Sequence, residues 1–243
     1  MSLVAFNLQA QQPIKIAVVG TSIDRGDGVA NFPTDAWPFQ FQQMLGSDYS
    51  ISDYGVSGGT YSYGPSAPNS IRATFRKSSY LNKNIVILGG PTNDCQLTNA
   101  HFVDTSFKRC YQSYIDSIRL WAAPGVVIYC NTAIKALHPN VPQSKVDTVN
   151  SWVRKIARDN GLTVWSFDQI PAHPLLKFDG IHPDGTAGHT IMAQFAYKEF
   201  TNGNSEKYKP IEELPESPSE NRVPLWPGVD LHINGKNRTL RKF

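Results

Sequence analysis

Cysteine is scarce: the 243 residues hold three, Cys95, Cys110 and Cys130, an odd number with no Cys-x-x-Cys spacing. That excludes a disulfide framework and outlines no zinc site, so the three read as reduced, partly buried side chains. Cys95 follows Asn93-Asp94 directly but has no base beside it in the sequence, and no catalytic role is assigned to it. Net charge is also slight, at +3. Apart from the extreme C-terminus, between Lys236 and Lys242, no Lys/Arg block stands out, so a nucleic-acid partner has little electrostatic support and none is expected. Long apolar runs are missing too: none approaches the roughly 18 residues of a membrane span, and no span is expected. The stretch Leu3-Val4-Ala5-Phe6 is too short for a signal-peptide core and follows no basic residue. A cytoplasmic location is the default reading, secretion applies if a leader has been removed, and the compartment stays unknown.

Enough apolar material is present, 40% of residues against 18% charged, for one well-buried domain and a modest appendage. Ile16-Ala17-Val18-Val19, residues 49–52, Ile85-Val86-Ile87-Leu88, 126–129 and 162–167 read as strands. Helical patterns fall over 35–45, 70–81, 106–122 and 144–160, the last stopped by Gly161, and a final helix runs from about Thr186 to Phe200. This βα alternation predicts a three-layer α/β/α domain with a central parallel sheet over residues 1–200. In 144–160, Val146, Val149, Val153 and Ile156 recur three and four apart, a core stripe and not a binding surface. His189 has no carboxylate at metal-ligand spacing. From 201 to 243, Pro210, Pro215, Pro218, Pro224 and Pro227 mark an extended arm. Near its end Val229, Leu231 and Ile233 alternate up to Asn234-Gly235, a hairpin turn signal, with 236–240 as the return strand. A lone hairpin is marginal, so Leu225, Trp226 and the apolar strand face are expected to bury against the main domain or a second copy in a homo-oligomer.

Chemistry-bearing residues gather where these strands end. Phe178-Asp179-Gly180-Ile181-His182-Pro183-Asp184-Gly185 sets a carboxylate three residues before a histidine in a Gly/Pro-rich turn. Asp179 can fix the imidazole tautomer through one nitrogen and leave the other to take a proton from a nucleophile, or it can merely cap turn N–H groups. Gly20-Thr21-Ser22 closes the first strand at the sheet edge where open α/β sheets bind ligands; the alternative is that Thr21 or Ser22 only N-caps a helix. Asp53-Tyr54-Gly55-Val56-Ser57-Gly58-Gly59-Thr60 supplies a glycine turn, and Gly89-Gly90-Pro91-Thr92-Asn93-Asp94 brings an asparagine amide to the same edge. Backbone N–H groups and an amide aimed at one point describe an oxyanion hole.

In their order the four segments resemble the motif blocks of the SGNH hydrolases, the GDSL esterase/lipase family. The resemblance spans about residues 14 to 200 and implies a flavodoxin-like three-layer fold. It also implies Ser22 as nucleophile, His182 as general base and acid, Asp179 as its orienter, and the Ser22 N–H, Gly58 and Asn93 as the oxyanion hole, with no metal or organic cofactor. Two positions depart from the family pattern. Thr21 stands where the first block has aspartate, which removes a carboxylate that would order the loop but leaves a hydroxyl to bond locally. Pro91 stands where the third has glycine, so the loop carrying Asn93 is expected to take a modestly different path. The pocket loops, 24–35, 60–69, 96–105 and 133–143, are polar and aromatic, favouring a small acyl ester such as acetyl on a carbohydrate over a lipid chain.

Other readings stay open. An O-acyltransferase passing the acyl group to a sugar hydroxyl would use the same residues. A non-catalytic carbohydrate-binding or structural module would keep the fold without the turnover. A phosphate loop at residues 20–28 is disfavoured, because neither the Walker Lys-Ser pair nor G-x-G-x-x-G spacing is there.

Overall fold

The computed structural model describes residues 12–62, 71, 81–98, 104–172 and 179–202, with the short strand segments 206–207, 231–233 and 236–238. The first apolar run forms β1, Ile14–Val19, whose last four residues are buried. It lies between β2, Tyr49–Asp53, and β3, Ile85–Leu88, parallel to both. Parallel strands β4, Val127–Asn131, and β5, Thr163–Trp165, extend the sheet beyond β3. The order β2-β1-β3-β4-β5 means that the chain steps outward from β1 to β2 and then returns to the other side of β1. Such a reversal opens a crevice at the carboxyl ends of β1 and β3, the place where ligands bind in sheets of this kind. A sixth strand, β6, Glu206–Lys207, pairs antiparallel with β5, so the segment expected to begin the arm supplies the sheet's last edge.

Among the described residues six helices accompany the sheet: α1, Ser22–Arg25; α2, Phe32–Asp35; α3, Trp37–Leu45; α4, Asp104–Trp121; α5, Gln143–Asp159; and α6, Gly185–Asn202. On one face, Phe107, Tyr111 and Ile115 of α4 and Val146, Val149, Val153 and Ile156 of α5 pack on Val86, Leu88, Ile128 and Cys130. Each of those α5 aliphatics contributes about 1.5–3 kcal/mol by leaving water. Trp37 and Phe41 of α3 cover the opposite face with Met192, Ala193 and Ala196 of α6, against Ile16, Val18, Ile85 and Ile87. The three layers of the expected fold are therefore present. His189 is wholly buried, its Nδ1 accepting the Trp37 N–H at 3.2 Å, which ties α6 to α3.

Two expectations need adjustment. The helix expected over 35–45 begins two residues later, as α3 at Trp37; Asp35 ends the preceding α2, and Ala36 between them is extended. Pro38 lacks an N–H and fits only the first turn of a helix, so a helix must restart at Trp37. All three cysteines are free and buried, Cys95 and Cys130 completely, and not partly so. The helix expected over 70–81 lies outside the described residues except at Ile71 and Leu81. In the hairpin, β7, Leu231–Ile233, and β8, Lys236–Arg238, pair antiparallel, while Leu225, Trp226, Val229 and Asn234-Gly235 lie outside the described residues. Among the described residues no helix is long and apolar enough to cross a membrane.

Candidate active site

At the end of β1, Gly20 and Thr21 turn the chain into α1, and Ser22 is the first residue of that helix. Thr21 is its N-cap, with a hydroxyl that accepts the Ile23 N–H at 3.4 Å. The reciprocal bond is shorter: the Asp24 carboxylate accepts the Thr21 N–H at 2.8 Å, completing a capping box. Gly26, left-handed at φ 86°, ends the helix after one turn and returns its N–H to the Ser22 carbonyl. Ser22 keeps 6% exposure and Asp24 1%. Burial pushes the Asp24 carboxyl up to about 6, against the opposing pull of Thr21 and the Trp37 indole.

The loop after β2 is fastened to this turn. Val56 donates its N–H to the Gly20 carbonyl at 3.0 Å, and Asp53 accepts the Gly55 N–H at 2.9 Å. Ser57 accepts from the Arg25 guanidinium at 2.8 Å and donates to Asp27. Gly58 follows with φ 70°, a conformation that favours glycine. Burial, reinforced by neighbouring Asp24 and opposed by the Gly55 N–H, pushes Asp53 up to about 8.

After β3 a 3-10 turn, Thr92–Cys95, starts at Pro91 and carries Asn93, which is 6% exposed. Its amide donates to the Gly59 carbonyl at 3.0 Å and its oxygen accepts from Gln96 at 2.9 Å. Asp94, buried and raised to about 6 by that burial, accepts the Tyr61 and Ser62 N–H groups and the Ser62 hydroxyl. Tyr61 donates its hydroxyl to the Gly89 carbonyl at 2.9 Å. The second and third loops are thus interlaced through two consecutive residues, Asn93 and Asp94.

The fourth loop crosses from the other side. His182 Nε2 lies 2.9 Å from Ser22 Oγ, and His182 Nδ1 lies 3.0 Å from Asp179 Oδ2. Asp179 Oδ1 accepts the N–H groups of Ile181 and His182, both at 3.0 Å. The two alternatives posed for Asp179 therefore coexist, one on each oxygen. Burial draws the Asp179 carboxyl upward, but these hydrogen bonds outweigh it and its pKa lies below the usual 3.8. Gly180 at φ 68° makes the turn, and a Cβ there would stand 2.9 Å from the Leu137 carbonyl carbon. A hydroxyl bonded to an imidazole that a carboxylate braces can pass its proton to that ring and become a nucleophile.

Three of the five residues expected at the site, Ser22, His182 and Asp179, are joined in a chain of hydrogen bonds, while Asn93 donates to the carbonyl of Gly59, the residue after Gly58. Asp24, Asp94 and Tyr61 were missed. A Thr-x-x-Asp pattern at 21–24 was the available signal for the first, whereas Asp94 and Tyr61 act across more than thirty residues. A small pocket bounded by Ile23, Asp24, Gly90, Thr92, Thr132 and Phe167 among others is not lined by Ser22 or His182 and is not where an ester would meet them. Among the described residues no group of three or more His, Cys, Asp or Glu is placed to hold a metal ion.

Comparison with known proteins bears on the family and the fold. A model of the GDSL-like Lipase/Acylhydrolase family matches residues 18–191. A solved carbohydrate acetylesterase family member from Sinorhizobium meliloti superposes with a TM-score of 0.64 at 15% identity, over 76% of this chain and 96% of that one. The inhibitor-bound aryl esterase of M. smegmatis does so with a TM-score of 0.58 at 17% identity, over 77% of this chain and 98% of that one. A family two carbohydrate esterase from Clostridium thermocellum, in complex with cellohexaose, reaches 0.57 at 19% identity, over 81% and 67%. No curated protein sequence matches the chain.

Proposed function

Because the chain belongs to the GDSL-like lipase/acylhydrolase family and is a hydrolase, we propose that it is a serine esterase cleaving a short O-acyl ester through Ser22, His182 and Asp179. The observation that carries this reading is the unbroken relay from Ser22 Oγ through both imidazole nitrogens to Asp179, at 2.9 and 3.0 Å. Ser22 attacks the ester carbonyl while His182 Nε2 takes its proton. Asp179 holds the Nδ1–H tautomer and stabilises the imidazolium. His182 then protonates the leaving alcohol, and a water activated by the same imidazole releases the acyl group.

Negative charge developing on the carbonyl oxygen needs donors already in place. The Ser22 and Gly58 N–H groups fit that need, since neither is engaged in a hydrogen bond among the described residues. Asn93 uses one amide hydrogen on Gly59 and has a second to offer. Acetyl on a carbohydrate is the acyl ester in view, supported by the polar loops around the site and by the names of the carbohydrate esterases that share the fold.

The test is incubation with a serine-reactive organophosphonate and peptide mapping, alongside turnover of an aryl acetate and an acetylated sugar. Label on Ser22 with acetate release is the expected result. A label elsewhere, or none, would sink the assignment.

A further inference from the structure

The first motif block has threonine in the place of its aspartate, yet a carboxylate lies against it. We propose that Asp24 is a positioning residue for Ser22, ordering the nucleophile's turn from two residues after the serine in place of the carboxylate missing before it. The inference rests on Ser22 being the nucleophile.

Helix α1 is a single turn, and one turn cannot hold itself, because the first hydrogen bonds fix more dihedrals than they repay. Its start is held instead by Asp24 Oδ2, which takes the Thr21 N–H at 2.8 Å and lies 3.4 Å from the Thr21 hydroxyl. The Thr21 carbonyl in turn accepts the Arg25 N–H at 3.0 Å. Ser22 therefore follows a residue whose N–H and C=O are both pinned.

A second, independent observation is the space in which that carboxylate sits. A Cβ on Gly20 would fall 2.0 Å from Asp24 Oδ2, and one on Gly89 would fall 2.3 Å from it. Neither glycine has a positive φ, so backbone conformation does not require glycine at either position and room for the carboxylate does. An ordinary capping side chain stands in solvent and needs no cradle cut from two adjacent strands. Burying a carboxylate is costly, and here the cost is carried at the residue whose neighbour must be placed to a fraction of an ångström.

The test compares kcat, KM and phosphonate labelling of wild type with four variants. Asp24→Ala removes the acceptor and lowers kcat roughly 10- to 100-fold with KM unchanged, the scale of effect that a misplaced reacting group produces. Labelling stays stoichiometric but slows in proportion. Asp24→Asn keeps an acceptor and recovers most of the rate. Gly89→Ala, which puts a methyl group where the carboxylate lies, reproduces the loss with Asp24 still present. The exchange Thr21→Asp with Asp24→Thr returns the carboxylate to the position before the serine and restores most of kcat. Full kcat in Asp24→Ala overturns the proposal, as does a loss expressed only as a smaller labelled fraction reacting at the wild-type rate, which would make Asp24 a folding element. If Asp24→Ala fails to fold, the exchange decides: a folded exchange variant with kcat more than about 100-fold below wild type overturns it. Wild type that neither turns over ester nor takes label overturns the esterase reading itself, and this inference with it.

Discussion

Four of the carboxylates at the candidate site have displaced pKa values, and they divide into two kinds. Asp24, Asp53 and Asp94 lie under the loops that carry Ser22, Gly58 and Asn93, and burial raises all three, to about 6, 8 and 6. Asp179, on the loop that crosses from the far side, is the most open of the four and is lowered by its hydrogen bonds. The difference separates scaffolding from chemistry. A buried carboxylate that collects backbone N–H groups fixes a loop and costs desolvation, whereas one that stays partly wet remains ionised and can hold a cation beside it. The imidazolium formed during acyl transfer is such a cation.

The largest expected effects break the wet side. Ser22→Ala abolishes turnover, and His182→Ala lowers kcat by several orders of magnitude, measured on an aryl acetate with folding checked by circular dichroism. Undiminished turnover in either variant removes the central assignment. Asp179→Asn is the more instructive change. Its amide oxygen still accepts the Ile181 and His182 N–H groups, so the turn survives, but the group facing His182 Nδ1 no longer favours the required tautomer. A fall in kcat of about 10³- to 10⁴-fold is expected in a variant that keeps its fold by circular dichroism. Wild-type activity would reduce Asp179 to a turn-former.

Asn93→Ala comes next, with kcat lower by roughly 10²- to 10³-fold and KM little changed, if the amide meets the oxyanion more strongly than the ground-state carbonyl. A raised KM at constant kcat would move Asn93 to substrate binding. The dry side answers differently. Asp94→Ala takes the acceptor from two buried N–H groups and a hydroxyl, and a buried group left unpaired costs about 1–3 kcal/mol, so its primary signature is a lower melting temperature. A variant that melts with wild type would mean that the Tyr61 and Ser62 groups find other partners.

The same division marks what could be read from sequence. The strands and long helices are legible because apolar spacing is a local property, and β3 and the α5 stripe lie where their pattern puts them. Ser22, Asn93, Asp179 and His182 are legible because each sits in a short Gly/Pro-rich segment with its own signature. The buried carboxylates are not: a capping pattern at 21–24 is visible, but the space left by Gly20 and Gly89 exists only after two strands pair. The partners of Asp94 stand 32 and 33 residues upstream. The break at Ala36 could have been anticipated from Pro38 alone.

The substitution expected to touch turnover least is also the sharpest test of the dry side, because it depends on sign. An acid whose folded-state pKa is raised holds its proton more tightly in the folded chain than in the unfolded one. For Asp53 the folded chain therefore binds more protons across the window from 3.8 to about 8, and stability falls as pH rises through it. Asparagine carries no charge at any pH and its oxygen can still accept the Gly55 N–H. Asp53→Asn should melt with wild type near pH 4, gain on it steadily as pH rises, and hold a constant advantage above pH 8. Removing this neighbour also relieves Asp24, whose carboxyl adds to the rise at Asp53, so both contributions have the same sign. Asp179 runs the other way: its lowered pKa gives stability that is present above 3.8 and lost as pH falls. Melting curves of Asp53→Asn and wild type at successive pH values distinguish the outcomes. A difference that does not change with pH, or one that favours wild type at high pH, would place Asp53 with Asp179 as an ionised, well-compensated carboxylate and dissolve the division between the two kinds.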